Sequence, residues 1–368
     1  SNGIVNIAVG GNATFAGNAN YSGDAIKNKV VIEGDKSVVK GTKNNFGENR
    51  ILIGSRAVGD KKAVGNGVEI SGGTIGSAGN AKNSVVGGYG QQGEISDNYV
   101  NISGGTFNNT HVYGSQADFG GAGILKGNSV TINSAGSVLK NIIGAAGGNA
   151  SSGNKIVFKN GTADNLYGAY NAKNSTDDGV EFSGGKVKNI YGSFADIAGA
   201  QIKGSKVDMS GGIVEGDVTG ARNDSGSVTQ ANVNLSGGEV KGGVIGGQGK
   251  TSATKNTVHI ENAKIGKSVY GGFSPEGKAD ENTDIKVKNS NIGSELIGDW
   301  GKLSASGNIS TVEGSTIGSR AAGGYSSHGA ANNNKLNFTN STINGSSAIG
   351  GNGQTGAAGN EIVATNTN

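Results

Sequence analysis

Short apolar segments of alternating character recur along this chain at a nearly constant interval. Each has the form Val-x-Ile, in which one residue separates two apolar residues, as in Val258-His259-Ile260. Alternation with a period of two is typical of a β-strand that buries one face. From Val130 onward the segment returns about every 26 residues, and over the whole chain it begins at Val30, Val68, Val100, Val130, Ile156, Val180, Val207, Val233, Val258, Ile285, Ser310, Leu336 and Ile362.

Two further landmarks follow the Val-x-Ile segment within a repeat. The first is a Ser-Gly-Gly turn, as in Ser236-Gly237-Gly238, and the second is an apolar pair before glycine, as in Val269-Tyr270-Gly271. Strands this short satisfy their backbone hydrogen bonds best by pairing in parallel with the equivalent strand of the next repeat. The pattern therefore predicts an all-β fold, a right-handed parallel β-helix (solenoid) with three short strands per coil and about 13 coils of roughly 26 residues.

The spacing of the repeats changes along the chain. We expect one solenoid over residues 1–368, with irregular coils and loop insertions in residues 1–129 and regular coils in residues 130–368, because the early intervals are longer. The chain begins and ends within a repeat, so we expect it to be a segment of a longer protein.

Glycine and asparagine mark the expected corners. The chain has 71 glycines and a single proline among 368 residues. Glycine adopts positive φ at little steric cost, and asparagine is the next best residue for that conformation. An asparagine stands two residues before the first strand in nine repeats, and equivalent amides in successive coils can form a hydrogen-bonded ladder. This structural ladder is predicted to contain Asn28, Asn66, Asn98, Asn128, Asn154, Asn256, Asn308, Asn334 and Asn360.

Composition excludes several classes of function. The net charge is only +3, which does not favour binding to nucleic acid, and no apolar run is long enough for direct insertion of this segment into a membrane. The chain has no cysteine, as expected of a cytosolic protein or of a secreted protein that crosses a pore before it folds. We expect no cofactor and no metal, because the three histidines, His111, His259 and His328, lack metal-ligand spacing.

A second row of residues follows the glycine of the third strand by two positions. Stacked aromatic side chains in such a row could bind sugars, or they could pack against one another at a corner. Arg222 and Gln248 interrupt the aromatic residues, which indicates that the row is at least partly exposed. The row contains Tyr170, Phe194, Arg222, Gln248, Phe273, Trp300 and Tyr325.

The irregular loops supply the candidate partner contacts. An insertion at residues 39–50 carries Phe46, and the longer loop at residues 115–127 carries Asp118 and Phe119. Recognition residues concentrate on loops that a rigid scaffold positions. The alternative is that Phe46 and Phe119 fold back and cover a wall of the solenoid.

The chain is not expected to be an enzyme. Solenoid enzymes that act on polysaccharides need carboxylates that converge on one face. The best pair, Asp177 and Asp178, is adjacent in sequence, and adjacent residues of a strand point to opposite faces.

The order of the landmarks resembles a known class of repeats. The run Val100-Asn101-Ile102-Ser103-Gly104-Gly105-Thr106, the run Val269-Tyr270-Gly271-Gly272 and loops of the form Gly-x-Ala-x-x-Asn, such as the one beginning at Gly329, are similar to the passenger repeats of large type V autotransporter adhesins of the fusobacterial outer-membrane type. The resemblance covers nearly the whole chain.

That resemblance implies a secreted virulence factor displayed at the cell surface. The parent chain would be anchored in the outer membrane by a C-terminal translocator barrel, and this segment would attach to a host-cell or bacterial surface receptor, whether glycan or protein. The alternatives are a passive stalk that presents a distal binding domain and, third, a polysaccharide-acting β-helix enzyme.

Overall fold

Both parts of the chain are parallel β-solenoids. The computed structural model describes residues 4–5, 8–12, 23–40, 48–76, 82–345 and 347–368, and it divides into two compact units, residues 1–187 and 188–368. All regular structure in these residues is β, and none of their segments is a helix that could cross a membrane. The predicted fold class is confirmed, with about 11 turns where about 13 coils were expected.

The division between the units lies between Val187 and Lys188. The repeat spacing had placed the change from irregular to regular coils at residues 129 and 130. The boundary between the two compact units therefore differs from the position at which the repeat length becomes constant.

The first unit has four rows of parallel strands. The first wall contains Lys29–Ile32, Gly67–Ile70, Tyr99–Ile102, Gly179–Phe182 and the first residues of two long strands, Ser129–Ala146 and Lys155–Tyr170. The second wall contains the middle of those long strands and Ile4–Val5, Val38–Val39, Thr74–Ile75 and Thr106–Phe107. The third wall contains the ends of the long strands and Ala8–Asn12, Glu48–Arg56, Lys82–Gly90 and Thr110–Ala117. A short fourth strand follows in each coil: Ala25–Ile26, Ala63–Val64, Glu94–Ser96, Ile124–Lys126, Ala150–Ser152 and Asn174–Thr176.

The second unit repeats this arrangement. Its first wall contains Lys206–Met209, Asn232–Leu235, Thr257–Glu261, Asp284–Lys288, Ile309–Glu313, Lys335–Thr339 and Glu361–Thr365. Its second wall contains Ile213–Val214, Glu239–Val240, Lys264–Ile265, Asn291–Ile292, Thr316–Ile317 and Thr342–Ile343. Its third wall contains Lys186–Ala195, which begins in the first unit, and Val218–Asn223, Val244–Gly249, Val269–Ser274, Leu296–Gly301, Ala321–Ala322, Tyr325–Ser326, Ala348–Ile349 and Asn352–Gly353. Its fourth strands are Gln201–Lys203, Ser227–Thr229 and Ser252–Thr254.

The fourth strand corrects the expectation of three strands per coil. It was missed because it contains a single apolar residue between polar ones, as in Ser227-Val228-Thr229, and this is too short to show alternation. Beyond residue 254 the fourth row shrinks to single parallel bridges, such as the one between Lys278 and Ser304.

The interior is filled by the apolar residues of the strands. On the first wall of the second unit, Val233 and Leu235 are buried, whereas Asn234 between them points outward and is half-buried. Ile265 of the second wall and Val269 of the third wall are also buried. In the first unit the rings of Phe158 and Phe182 stack inside the first wall, with their centroids 5.6 Å apart. Strands with period-two alternation thus place one apolar face in the core, as the sequence predicts.

A ladder of buried side-chain amides runs through the first unit at the corner before the first wall. The Oδ1 atom of each ladder residue accepts hydrogen bonds from the backbone N and the Nδ2 of the ladder residue one coil earlier, at 2.8 to 3.0 Å. The Nδ2 of Asn66 also donates to the carbonyl of Ala25, and equivalent bonds recur in later coils. The row contains Asn28, Asn66, Asn98, Asn128, Asn154 and, at its end, Asp178.

The second unit contains a second ladder. Asn282 belongs to it but was missed in the sequence, because it stands three residues before Ile285 where other members stand two residues before their strand. Ser205 and Ala231 occupy the ladder position in the first two coils of this unit, and there only the backbone N of Ala231 donates to the next amide. The side-chain amides in this row are Asn256, Asn282, Asn308, Asn334 and Asn360.

The residue before each ladder position has a left-handed backbone. Its φ lies between 54° and 75° at all 13 of these positions. Six of these residues are glycine, but seven have side chains, which make this conformation costly by about 1 kcal/mol or more. Glycine and asparagine content alone does not predict six of these seven positions, since only one of them is asparagine; the seven are Lys27, Asp97, Asp177, Gln230, Lys255, Glu281 and Asn333.

Substitution of one ladder residue tests how much the ladder stabilises the coils. We expect Asn98→Ala to lower the free energy of unfolding by about 3 kcal/mol, because it leaves the backbone N and Nδ2 of Asn66 buried without their acceptor. Asn101→Ala is the matched control, since Asn101 is exposed on the adjacent strand and its loss should cost under about 0.5 kcal/mol. Thermal and urea unfolding measure both variants. An equal effect of the two substitutions would contradict a stabilising ladder.

The acid at the end of the first ladder gives a pH dependence. Burial raises the pKa of the Asp178 carboxyl, although hydrogen bonds from Ser175, Asn154 and Ser151 oppose this shift. A carboxyl whose pKa is higher in the folded than in the unfolded state stabilises the folded state. This contribution is complete at pH values below the unfolded-state pKa, and it is lost as the pH rises through the folded-state pKa.

We therefore expect Asp178→Asn to be more stable than the unmodified chain at pH 7 to 8, with the difference disappearing toward pH 3. The exposed neighbour provides the control, because Asp177→Asn should change the free energy of unfolding by under about 0.5 kcal/mol. Unfolding midpoints measured across this pH range decide the matter. If the stability difference between the two proteins grew as the pH fell, the pKa of Asp178 would be lowered rather than raised in the folded state.

Candidate functional site

Two of the three residues predicted as partner contacts, Asp118 and Phe119, lie in the part of the chain that the structure describes. Phe46 lies outside the described residues. Asp118 is half-buried and accepts a hydrogen bond of 2.5 Å from the hydroxyl of Tyr89. Phe119 is 57% exposed, and the edge of its ring contacts Tyr170 at a centroid distance of 6.4 Å. Asp118 thus anchors this loop to the third wall, while Phe119 combines a wall contact with a largely exposed ring.

The row of residues behind the third-wall glycine forms an outward-facing stripe in the second unit. Phe273 and Trp300 stack with their centroids 4.8 Å apart, and Trp300 and Tyr325 stack at 6.2 Å, each pair with its planes inclined by 18°. All three rings are half-buried. Earlier in the same row, the guanidinium of Arg222 lies over the ring of Phe194 at 5.8 Å.

The stacking determines which part of each ring a ligand can reach. Parallel rings in successive coils cover each other's faces, so the inner ring, Trp300, presents its edge to solvent. Phe273, at the end of the stack, also forms a T-shaped pair with Tyr270 at a centroid distance of 5.8 Å, and the preceding member of the row is Gln248. The amide of Gln248 is half-buried and forms no hydrogen bond within the part of the chain that the structure describes.

The corners after this row alternate in length. The row residues are in register with one another, and so are the residues that begin the fourth row. Between these aligned positions lie four residues in 223–226, three in 249–251, four in 274–277, three in 301–303, four in 326–329 and three in 353–355. A three-residue corner between two four-residue corners is recessed by one residue, and this leaves a notch in the surface.

One such notch is a cavity of about 220 Å³ beside Gln248. We call it the Gln248 notch. Its floor is the short corner 249–251, and its two rims are the longer corners 223–226 and 274–277. Its lining consists of Asn223, Asp224, Gln248, Lys250, Pro275 and Glu276.

The charged groups of the Gln248 notch form two pairs. Arg222 Nε and Nη2 donate to the two carboxylate oxygens of Asp224 at 2.8 and 3.1 Å, a bidentate arrangement that fixes the carboxylate. The ammonium of Lys250 lies 3.7 Å from the carboxylate of Glu276. Two positive and two negative charges therefore balance around the cavity.

The backbone of the long rims is tightly constrained. Gly277 ends the corner 274–277, and a Cβ atom built there would stand 1.7 Å from the carbonyl oxygen of Thr251. Pro275, the single proline of the chain, restricts φ on the same corner. Asn223 holds the other rim, since its Nδ2 donates to the carbonyls of Ala200 and Ser227.

Arg222 and Gln248 were predicted from the sequence as members of the row, whereas Asp224, Lys250, Pro275 and Glu276 were not predicted as site residues. The available signals were the single proline and the alternating number of residues between the row and the fourth strand. The second signal was hidden because the fourth strand was not recognised.

Other polar groups of the described residues lie apart from the Gln248 notch. No cluster of three or more His, Cys, Asp or Glu side chains there is placed to hold a metal ion. Asp299 is completely buried on the third wall, where burial raises the pKa of its carboxyl well above the usual range and a hydrogen bond from Asn282 opposes the shift. His259 pairs with Asp284 at 2.7 Å on the outer side of the first wall.

Comparison with known proteins adds no relative. No protein-family model, no curated protein and no solved structure matched this chain. The fold and the geometry of its surface therefore carry the functional argument. What they define is a parallel β-solenoid, the fold that the passenger repeats named above would form.

The stacked row has a built-in reporter, because Trp300 is the only tryptophan in the chain. We expect Phe273→Ala to shift the emission of Trp300 to longer wavelength, since one face of the indole loses its ring partner and gains water. The lost ring pair should also cost about 1 kcal/mol of stability. Phe119→Ala, which removes a ring of the other unit that pairs with Tyr170, is the control and should leave the emission unchanged. Identical spectra for all three proteins would contradict the stacked arrangement.

Proposed function

We propose that this chain is an attachment segment of a bacterial surface protein, of the autotransporter adhesin class that its repeats resemble. It would be displayed outside the cell, anchored in the outer membrane through the translocator of its parent chain. Its role would be contact with a host-cell or bacterial receptor. The absence of cysteine supports this route, because a disulfide formed early would hinder passage of the chain through a pore.

The observation that carries the proposal is the outward-facing aromatic row beside a notch. Phe273, Trp300 and Tyr325 are not needed to fill the interior, which the residues of the opposite face already occupy. Half-exposed aromatic rings on rigid strands provide contact area at low entropic cost and are enriched at interfaces. A solenoid that served only as a spacer has no need of them.

A passive stalk is the second candidate, and the second unit contains the observation that favours it. Its coils repeat at a nearly constant length, with the same strands in register from one coil to the next. Stacked coils of this kind suit a spacer that presents a distal domain. The two roles are compatible if binding groups occupy one wall.

An enzymatic role has less support. The two carboxyls with raised pKa, Asp178 and Asp299, are buried and cannot contact a polymeric substrate. Asp177 is exposed, and its chain neighbour Asp178 lies inside, so this pair does not converge on one face. Hydrolysis of a glycosidic bond requires two carboxyl groups on either side of the bond.

The proposal is tested by binding of the fluorescently labelled chain to epithelial cells and to other bacterial species. We expect saturable binding that Trp300→Ala weakens by about tenfold, since the loss of a central interface aromatic typically costs about 1.4 kcal/mol or more. Val138→Ala is the control, because Val138 is 61% exposed and lies in the other unit. Folding of each variant is checked by circular dichroism. If the folded chain showed no saturable binding, the passive stalk would be the better-supported function.

A further inference from the structure

The Gln248 notch has the features of a ligand site in its own right. We propose that it binds one ring of a neutral carbohydrate, at the end or at a branch of a glycan. This inference rests on the proposed function, because it specifies what the attachment segment contacts on its target surface.

Charge selects the kind of ligand. Arg222 and Lys250 are balanced by Asp224 and Glu276, and each cation already has a carboxylate partner at 2.8 and 3.7 Å. An anionic ligand would have to displace one of these carboxylates, and a cationic ligand would have to displace a basic group. A neutral polar ligand can bind without breaking either pair.

The free hydrogen-bonding groups match the hydroxyls of a sugar. The carboxylate of Asp224, which Arg222 holds in a fixed orientation, has remaining lone pairs that can accept from two adjacent hydroxyls. The amide of Gln248 has a donor and an acceptor side, neither of which is used within the described residues. Hydroxyl groups both donate and accept, so they satisfy this combination of a fixed acceptor and an amide.

The apolar parts of the notch suit the C–H face of a sugar ring. Pro275 is exposed and forms one side of the cavity with a ring of restricted conformation. Phe273 follows Gln248 in the row and lies beside the lining rather than in it, with its ring packed against Trp300 and against Tyr270. Apolar contact on one side and polar groups on the other are the usual composition of a small-ligand site.

The size of the cavity limits the ligand to about one ring. Its volume of about 220 Å³ is below the roughly 300 Å³ at which sites for drug-sized molecules begin. The cavity is open to solvent, so the rest of a glycan could extend along the stacked row toward Trp300.

The neighbouring coils offer a matched comparison. The corner 301–303 has the same three-residue length and also lies between two four-residue corners, but its charged residue is Lys302 and its adjacent row residue is Trp300 rather than glutamine. Substitution of Lys302 therefore alters an equivalent recess without removing any group of the Gln248 notch.

The experiment uses the full chain and a panel of methyl glycosides of glucose, galactose, mannose, N-acetylglucosamine, N-acetylgalactosamine and sialic acid. Saturation-transfer NMR detects binding, and titration gives the dissociation constant. We expect at least one neutral glycoside to bind, at least tenfold weaker binding by Gln248→Ala and by Asp224→Asn, and unchanged binding by Lys302→Ala. Circular dichroism and Trp300 emission confirm that each variant is folded.

Three results would overturn the proposal. They are the binding of no neutral glycoside, binding of the sialoside alone, and an affinity that Gln248→Ala and Asp224→Asn leave unchanged. The cell-binding assay separates this failure from that of the proposed function. Saturable attachment that no sugar in the panel inhibits would overturn the carbohydrate site and leave the attachment role in place.

Discussion

The ladder of buried amides is the constraint on which the coils depend. Each coil reaches its ladder residue through a left-handed backbone, and in seven coils a residue with a side chain adopts this costly conformation. The next side chain offsets the cost, because its amide bonds the coils before and after it. The left-handed corner and the ladder amide therefore act together, and they fix the register of the strands that follow them.

The ladder also dictates the residues that face it across the interior. On the third wall a Cβ at Gly247 would stand 2.5 Å from the amide of Asn256, so this position requires glycine as long as Asn256 keeps its place. Asp299 is larger and occupies the equivalent place one coil beyond Gly272, where it bonds to Asn282 and stays buried. Departures from the pattern thus place ionisable groups in the core, where burial raises their pKa.

The outer surface follows a separate rule, because side chains that point outward are free of these packing demands. A change of one residue in corner length leaves the ladder and the walls in register, yet it creates a recess such as the Gln248 notch. Insertions at corners can therefore vary the surface while the scaffold stays the same. This freedom explains why rings, charges and a proline gather at the corners of the second unit.

The sequence by itself determined three of the four strand rows, the parallel pairing and nine of the amides in the ladders, because each depends on a local pattern that returns once per coil. It did not determine the fourth strand, the place of Asn282 or the conformation of Lys27 and its equivalents, since these depend on contacts between residues about 26 positions apart. The grouping of Asp224, Gln248, Lys250 and Glu276 around one cavity was likewise decided only by the tertiary structure. Successive coils bring such residues together through backbone pairing, and their spacing in the chain carries no local signal of it.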